Sequence, residues 1–169
     1  MPFTLQIKNQ TEKLQKRLAA LRYLSSHQVD VGLPASASGR SKFLLGIHER
    51  GSPIMRIPPR PVIQPALNQS STRAAMTAAM MDGLSAAMEG DTDGAAAALE
   101  AAGQAGVDGI HAYIDAGISP ANSPVTVSGG WVYNRVARVG VPVASKGFNL
   151  PLVETGELYN SFGYEIKSR

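Results

Sequence analysis

The chain has 169 residues, 44% of them hydrophobic and 17% charged, which suits one globular domain that buries roughly two thirds of its unfolded surface and not a disordered chain. It contains no cysteine, so a disulfide scaffold, a thiolate metal site and a cysteine nucleophile are excluded. The net charge of +3 conceals three blocks: residues 1–60 carry ten Lys/Arg against three acids, residues 61–118 one Arg against seven acids, and residues 119–169 five against three. Blocks of opposite sign suit subunits that stack face to face and steer one another.

The opening Met1-Pro2-Phe3-Thr4 lacks a basic segment followed by an apolar run, so no secretory signal is expected. No stretch reaches the roughly 18 apolar residues of a membrane span. The expectation is a protein made and used in the cytoplasm, with no membrane partner.

Phe3, Leu5 and Ile7 alternate with Thr4, Gln6 and Lys8, which predicts a strand over 3–8. Asn9-Gln10-Thr11 reads as a turn and N-cap. From Glu12 to Ser26, Leu14, Leu18, Leu21 and Leu24 recur at helical spacing among Lys13, Lys16, Arg17 and Arg22. That pattern predicts an amphipathic helix with its leucines inward and a basic face outward. A second strand is read at 28–33. The Ser/Ala/Gly-rich segment 34–42 reads as a mobile arm. A helix follows over Phe43–Arg50, ended by Gly51.

Between Pro58 and Pro65 stand four prolines, which fix φ and remove amide donors, so the segment is extended until a helix starts near Gln64. Ser70-Ser71-Thr72 can cap a helix running from Arg73 to Met88. After the break at Gly90–Gly94, Asp93 or Thr92 caps another from Ala95 to Ala116. Gly103, Gly106 and Gly109 each cost about 1 kcal/mol relative to Ala inside a helix. A helix that tolerates them gains from close backbone approach to a neighbour. Residues 125–149, rich in Gly, Pro and Ser around Trp131-Val132-Tyr133, read as a long arm. Thr155-Gly156-Glu157-Leu158 opens a short helix, with Thr155 as cap, and a closing strand runs near 162–167.

Chemistry is sparse. His27, His48 and His111 are dispersed, and the adjacent pair His48-Glu49 points to two sides of a helix, a poor chelate. There is no phosphate loop, nucleophile elbow or paired-carboxylate motif. Asp91-Thr92-Asp93-Gly94 opens like a calcium loop, but Glu100 comes too early to complete one. Met76, Met80, Met81 and Met88 read as filler of core gaps. No catalytic, metal or cofactor residue is assigned, and the chain is read as no enzyme.

Three blocks resemble a known family, the tail-completion and head–tail joining (neck) proteins of tailed phages with the related virion morphogenesis proteins. Ile47-His48-Glu49-Arg50-Gly51 is similar to the family's helix end, with Arg50 where an aromatic is usual. Ile57-Pro58-Pro59-Arg60-Pro61-Val62-Ile63-Gln64-Pro65-Ala66-Leu67 is similar to Ile-Pro-Ala-Arg-Pro-Phe-Leu-Arg-Pro-Ala. Pro151 to Tyr164 is similar to a Pro-Leu-x-Asp-Thr-Gly-x-Leu pattern that leads to Ser and Tyr. In order and spacing the blocks cover residues 25–167.

The expected fold is α+β in one domain over 1–169: an antiparallel sheet of about four strands, near 3–8, 28–33, 132–142 and 162–167, packed against the N-terminal helix and the 73–116 hairpin. The resemblance implies a non-enzymatic virion protein that closes into a ring, a hexamer, and joins the tail to the head connector. Its partners would be copies of itself, connector or stopper proteins, and tail terminator or tail tube proteins. Candidate interface residues are Glu49, Pro58, Pro59, Arg60, Pro61, Trp131 and Tyr133, with Arg60 pairing a carboxylate such as Glu49 or one on a neighbour. Thr155, Gly156 and Leu158 form the fold signature. Lys13, Lys16, Arg17 and Arg22 would face DNA passing through the ring without sequence preference. Alternatives are a tail terminator proper, a minor morphogenesis factor, or a cytoplasmic nucleic-acid-binding module that uses the same basic helix.

Overall fold

The computed structural model describes residues 2–53, 57–134, 137–145, 147 and 156–169. The protein is α+β, with helices and four short strands in two separate two-stranded antiparallel sheets. The elements, in chain order, are α1 (Pro2–Ser26), β1 (His27–Gly32), α2 (Gly39–Arg50), α3 (Ile63–Leu67), α4 (Ser70–Glu89) and α5 (Thr92–Asp115). Then come α6 (Pro124–Ser128), β2 (Gly130–Asn134), β3 (Val139–Val143), a 3-10 turn (Tyr159–Ser161) and β4 (Gly163–Ser168). The chain forms two compact units, one of Met1–Ser36, Ala66–Ile110 and Phe162–Arg169, the other of Ala37–Pro65 and His111–Ser161.

The single four-stranded sheet is replaced by two pairs, and segment 3–8 is helical. The alternation of Phe3, Leu5 and Ile7 meets no partner strand among the described residues. No Gly or Pro separates it from the helix that follows, and Pro2 fits a first helical position. The segment near 132–142 turns back on itself as the β2–β3 hairpin.

In the first unit, α1, α4 and α5 meet through small side chains. Ala20, Ala87 and Ala95 are wholly buried, with Leu21 and Leu24 packed against them. A Cβ on Gly83 would stand 2.7 Å from that of Ala98, so α4 and α5 touch almost backbone to backbone. The expected inward leucine stripe holds at Leu21 and Leu24 and is overturned at Leu14 and Leu18. Ala20 and Leu24 face inward, whereas Leu14 is 57% and Leu18 43% exposed.

The glycines of α5 do what their helical cost implied. Tyr164 lies against Gly103, Thr72 lies against Gly109, and a Cβ on Gly106 would come within 2.9 Å of Val31 Cγ2. Val31 and Tyr164 are cross-strand partners in the β1–β4 pair, so two of the three glycines seat that pair on the helix. Its alternate face carries Asp30, Glu165 and Lys167, the last of which reaches both acids at 2.9 Å. Thr72 is buried at the start of α4, and α4 begins after Gln69 without a side-chain cap, so the Ser70–Thr72 cap is corrected. Helix α5 is capped by Asp91, not by Asp93 or Thr92: its Oδ1 accepts from the Gly94 amide at 2.9 Å. Gly90 ends α4 in the left-handed region at φ 86.

In the second unit, α2 starts at Gly39 behind an N-cap by Ser38, which accepts from the Ser41 amide at 3.0 Å. Half of the expected arm 34–42 is therefore helix, and Ser41 within it is wholly buried. The other expected arm, 125–149, holds α6 and the β2–β3 hairpin in its described part. Gly51 ends α2 as expected, at φ 72.

Candidate functional site

The proline segment is built as an alternation. Pro58, Pro59 and Pro61 are exposed, while Arg60 and Val62 between them are buried. Proline supplies no amide donor, so this strip can be held only by the residues between the prolines and by its flanks. The Arg60 amide donates to His48 O at 2.6 Å, Ser52 and Ile57 exchange two backbone bonds, and Gly51 lies beneath. A Cβ on Gly51 would stand 2.8 Å from both Ile57 O and Pro59 N, which only glycine avoids. Arg50, Ser52, Ile57, Pro58 and Pro59 line an open groove along this strip.

Arg60 directs its fork at backbone, not at a carboxylate. Its Nε donates to Pro120 O at 2.6 Å and its Nη2 to Ala121 O at 2.9 Å, tying the proline strip to the loop after α5. Burial lowers its pKa from the ordinary arginine value. The pairing with Glu49 is therefore corrected. Glu49 Oε1 accepts from the amides of Val62 at 2.9 Å and Ile63 at 3.3 Å, at the start of α3. An anion there meets the free donors of a first helical turn. Both residues of the expected ion pair are structural, and each holds one end of the same strip.

Gly156 has φ 68, and Leu158 is buried, 4% exposed; Thr155, with the Pro151–Glu154 stretch before it, lies outside the described residues. The run after Gly156 serves as a staple. Glu157 accepts from Ser38 Oγ at 3.1 Å and pairs with Arg40 at 3.2 Å, while Ser161 Oγ lies 2.8 Å from Ser41 Oγ. Sequence reading missed this hydroxyl cluster, although Ser38-x-x-Ser41 is the spacing of an N-cap. It also missed the stack of Tyr159 on His111, with centroids 4.1 Å apart. Tyr159 donates from its hydroxyl to Asp115 Oδ2 at 3.0 Å. Desolvation, then this bond, raises the tyrosine pKa above the ordinary 10.0.

Trp131 and Tyr133 stand on one face of β2, opposite Pro142 and Gly140 of β3. They are 72% and 59% exposed, and on the other face Val132, Val139 and Val141 are exposed as well. The turn is fixed by Asn134, whose Oδ1 accepts from the Ala137 amide at 3.0 Å, and Arg138 sits at φ 54. At the base, Ser145 Oγ donates to Val127 O at 2.7 Å. An isolated two-stranded hairpin is marginal in water, and this one leaves apolar side chains exposed on both of its faces.

The basic residues of α1 do not share one face. At helical spacing Lys13, Lys16 and Arg17 continue the line of Ala20 and Leu24, and Arg22 lies on the far side. The backbone of Lys16 and Arg17 passes close to Gly90, and Arg17 is only half exposed. Among the described residues, no three His, Cys, Asp or Glu are grouped to hold a metal ion, and no helix is long and apolar enough to cross a membrane. The chain matches no protein-family profile, no characterised protein and no solved structure.

Proposed function

We propose that the chain is a non-enzymatic structural subunit of a tailed-phage neck, which closes into a ring and joins the completed tail to the head connector. The observation that carries this reading is the β2–β3 hairpin, with Trp131 and Tyr133 exposed on one face and valines on the other. A hairpin that cannot bury either face in its own unit is suited to a neighbouring virion subunit, where aromatic side chains anchor interfaces. The three sequence blocks add the neck to this reading, because they follow one another in the order and spacing of the neck family.

The proline strip fits the same role. It is held in shape by Arg60 and Glu49 within one subunit, so its exposed prolines can be docked without further ordering. Conformational entropy is lost when the chain folds and not when it assembles. The basic residues of α1 remain candidates for contact with passing DNA.

The test is made on particles. In the strain that carries this gene, deletion should leave full heads and free tails side by side in electron micrographs, and the protein should be found in purified wild-type particles. Complete particles from the deletion strain, with the chain absent from wild-type particles, would overturn the assignment.

A further inference from the structure

Two apolar stripes of the first unit lie uncovered. On α1, Leu14 and Leu18 are 57% and 43% exposed, one turn apart, with the half-buried Leu21 next in line. On α4, Met80, Met81, Leu84 and Met88 recur at helical spacing and are 41–57% exposed. The inner faces of both helices are already occupied by Ala20, Gly83 and Ala87, so these stripes are surplus to the core.

Their flanks differ in sign. The helical positions beside the leucines carry Lys8 and Arg22 on one side and Arg17 on the other, all on α1. Asp82 and Glu89 border the methionine stripe on its solvent side, and both are exposed. The α1 residues from Lys8 to Lys16 are all exposed, and Gly90, the end of α4, is level with Lys16 and Arg17, so the first half of α1 extends past the end of α4.

We propose that the leucine stripe of α1 in one copy docks on the methionine stripe of α4 in a second copy. Leucine knobs suit a bed of methionines, which adapt their rotamers to the shape presented. The basic flanks of α1 meet the acidic border of α4, which selects this pairing over leucine on leucine or methionine on methionine. The contact pairs unlike surfaces, α1 of one copy with α4 of another, and in its heterologous form leaves each end copy one stripe free. Repetition of such a contact gives a ring when the rotation closes. This inference rests on the reading of the chain as a homo-oligomer and names the surfaces that would make it.

The absence of native cysteine allows a clean test. Leu18→Cys and Met81→Cys are made separately, both at exposed positions, then mixed and oxidised. The expected result is a disulfide-linked heterodimer of the two variants, in excess over either homodimer. In parallel, Leu14→Asp with Leu18→Asp, and Met81→Lys with Met88→Lys, should each keep the wild-type circular dichroism and weaken self-association about tenfold or more in sedimentation. Mixed together, these two variants should form a one-to-one dimer and nothing larger, since each retains the stripe that the other has lost. Homodimers predominating in the cysteine mixture, or stripe variants that assemble like wild type, would overturn the proposal. These results are independent of the particle experiment, so the neck reading can stand while this interface falls, and the reverse.

Discussion

The two units solve the same packing problem by different means. In the first, backbones approach one another across Ala20, Gly83, Ala87 and the glycines of α5, and almost every contact is a matter of volume. In the second, irregular chain is tied at points: Arg60 to two carbonyls, Glu49 to two amides, Ser38 and Ser41 to Glu157 and Ser161. The first unit should therefore fail when atoms are added, and the second when polar partners are removed. Closely approached helices have no slack to absorb a methyl, whereas a loop segment has few apolar contacts to fall back on.

The largest effect is expected from Gly103→Val. Its side chain would need the space taken by the Tyr164 ring, so the β1–β4 pair must lift from α5. Such overpacking should cost about 3 kcal/mol, read as a lower midpoint of thermal unfolding. A midpoint equal to wild type would break the comparison at its first term. Next comes Arg60→Met, which keeps the length and apolar stem but leaves the carbonyls of Pro120 and Ala121 without their donors. The expected loss is about 2 kcal/mol in denaturant unfolding, and Arg60→Lys, with no fork, should recover less than half of it. Gly46→Ala is expected to act in the opposite sense. Gly46 lies inside α2, where an added Cβ meets only the tip of Arg50 at 3.4 Å. Helix propensity alone should then raise stability by about 0.5–1 kcal/mol, so the same kind of substitution changes sign between the units.

What could be read from sequence divides along the same line. Helices with strong punctuation were legible: Gly51 and Gly90 end α2 and α4, the 73–116 hairpin is present, and the glycines of α5 do mark close approach. The strands near 28–33 and 162–167 were legible as well, though not their pairing with each other, because alternation there matches one face on α5 and one in water. Segment 3–8 was misread because three alternating apolar residues fit a strand locally, while only the rest of the fold decides whether a partner strand exists. The first half of the leucine stripe was misread for a related reason: hydrophobic spacing marks an apolar face, but Leu14 and Leu18 stay exposed while Ala20, Leu21 and Leu24 pack inward. Within the candidate surface, the exposed prolines and the aromatic pair were visible as residue types. The partners of Arg60 were not, since Pro120 and Ala121 offer only backbone carbonyls, which carry no sequence signal.

A smaller effect separates the acid and alkaline limbs of the pH profile. In the β1–β4 pair, the hydrogen bond from Lys167, then the Ala35 amide, hold the Glu165 carboxyl below the ordinary 4.5. A carboxyl depressed in the folded state contributes stability that is fully present above the unfolded value and lost as pH falls through the folded one. Unfolding midpoints measured from pH 7 downward should therefore show a decline below about 4.5 that is shallower in Glu165→Gln. Lys167, raised by its bonds to Asp30 and then Glu165, and Tyr159 act at the other end, since both favour their protonated forms in the fold. Their contributions are lost as pH rises past the unfolded values near 10. Asp115→Asn should soften the alkaline decline through Tyr159 without changing the acid one.

The smallest expected change in stability belongs to two large, exposed aromatic residues of the hairpin. Trp131 and Tyr133 contact little of their own unit, apart from the Trp131 ring over Gly140. Replacing both by Ser should leave the unfolding free energy within about 0.5 kcal/mol of wild type, because little buried area is lost. If the hairpin serves the proposed neck role, the same double variant should be poorly incorporated into particles, since there the area would be covered on assembly. A large drop in stability would mean that the hairpin is a concealed part of the second unit's core. An unchanged midpoint with wild-type incorporation would mean that it is neither core nor interface. Stability retained and assembly lost is the outcome that separates a surface built for a partner from one built for the fold.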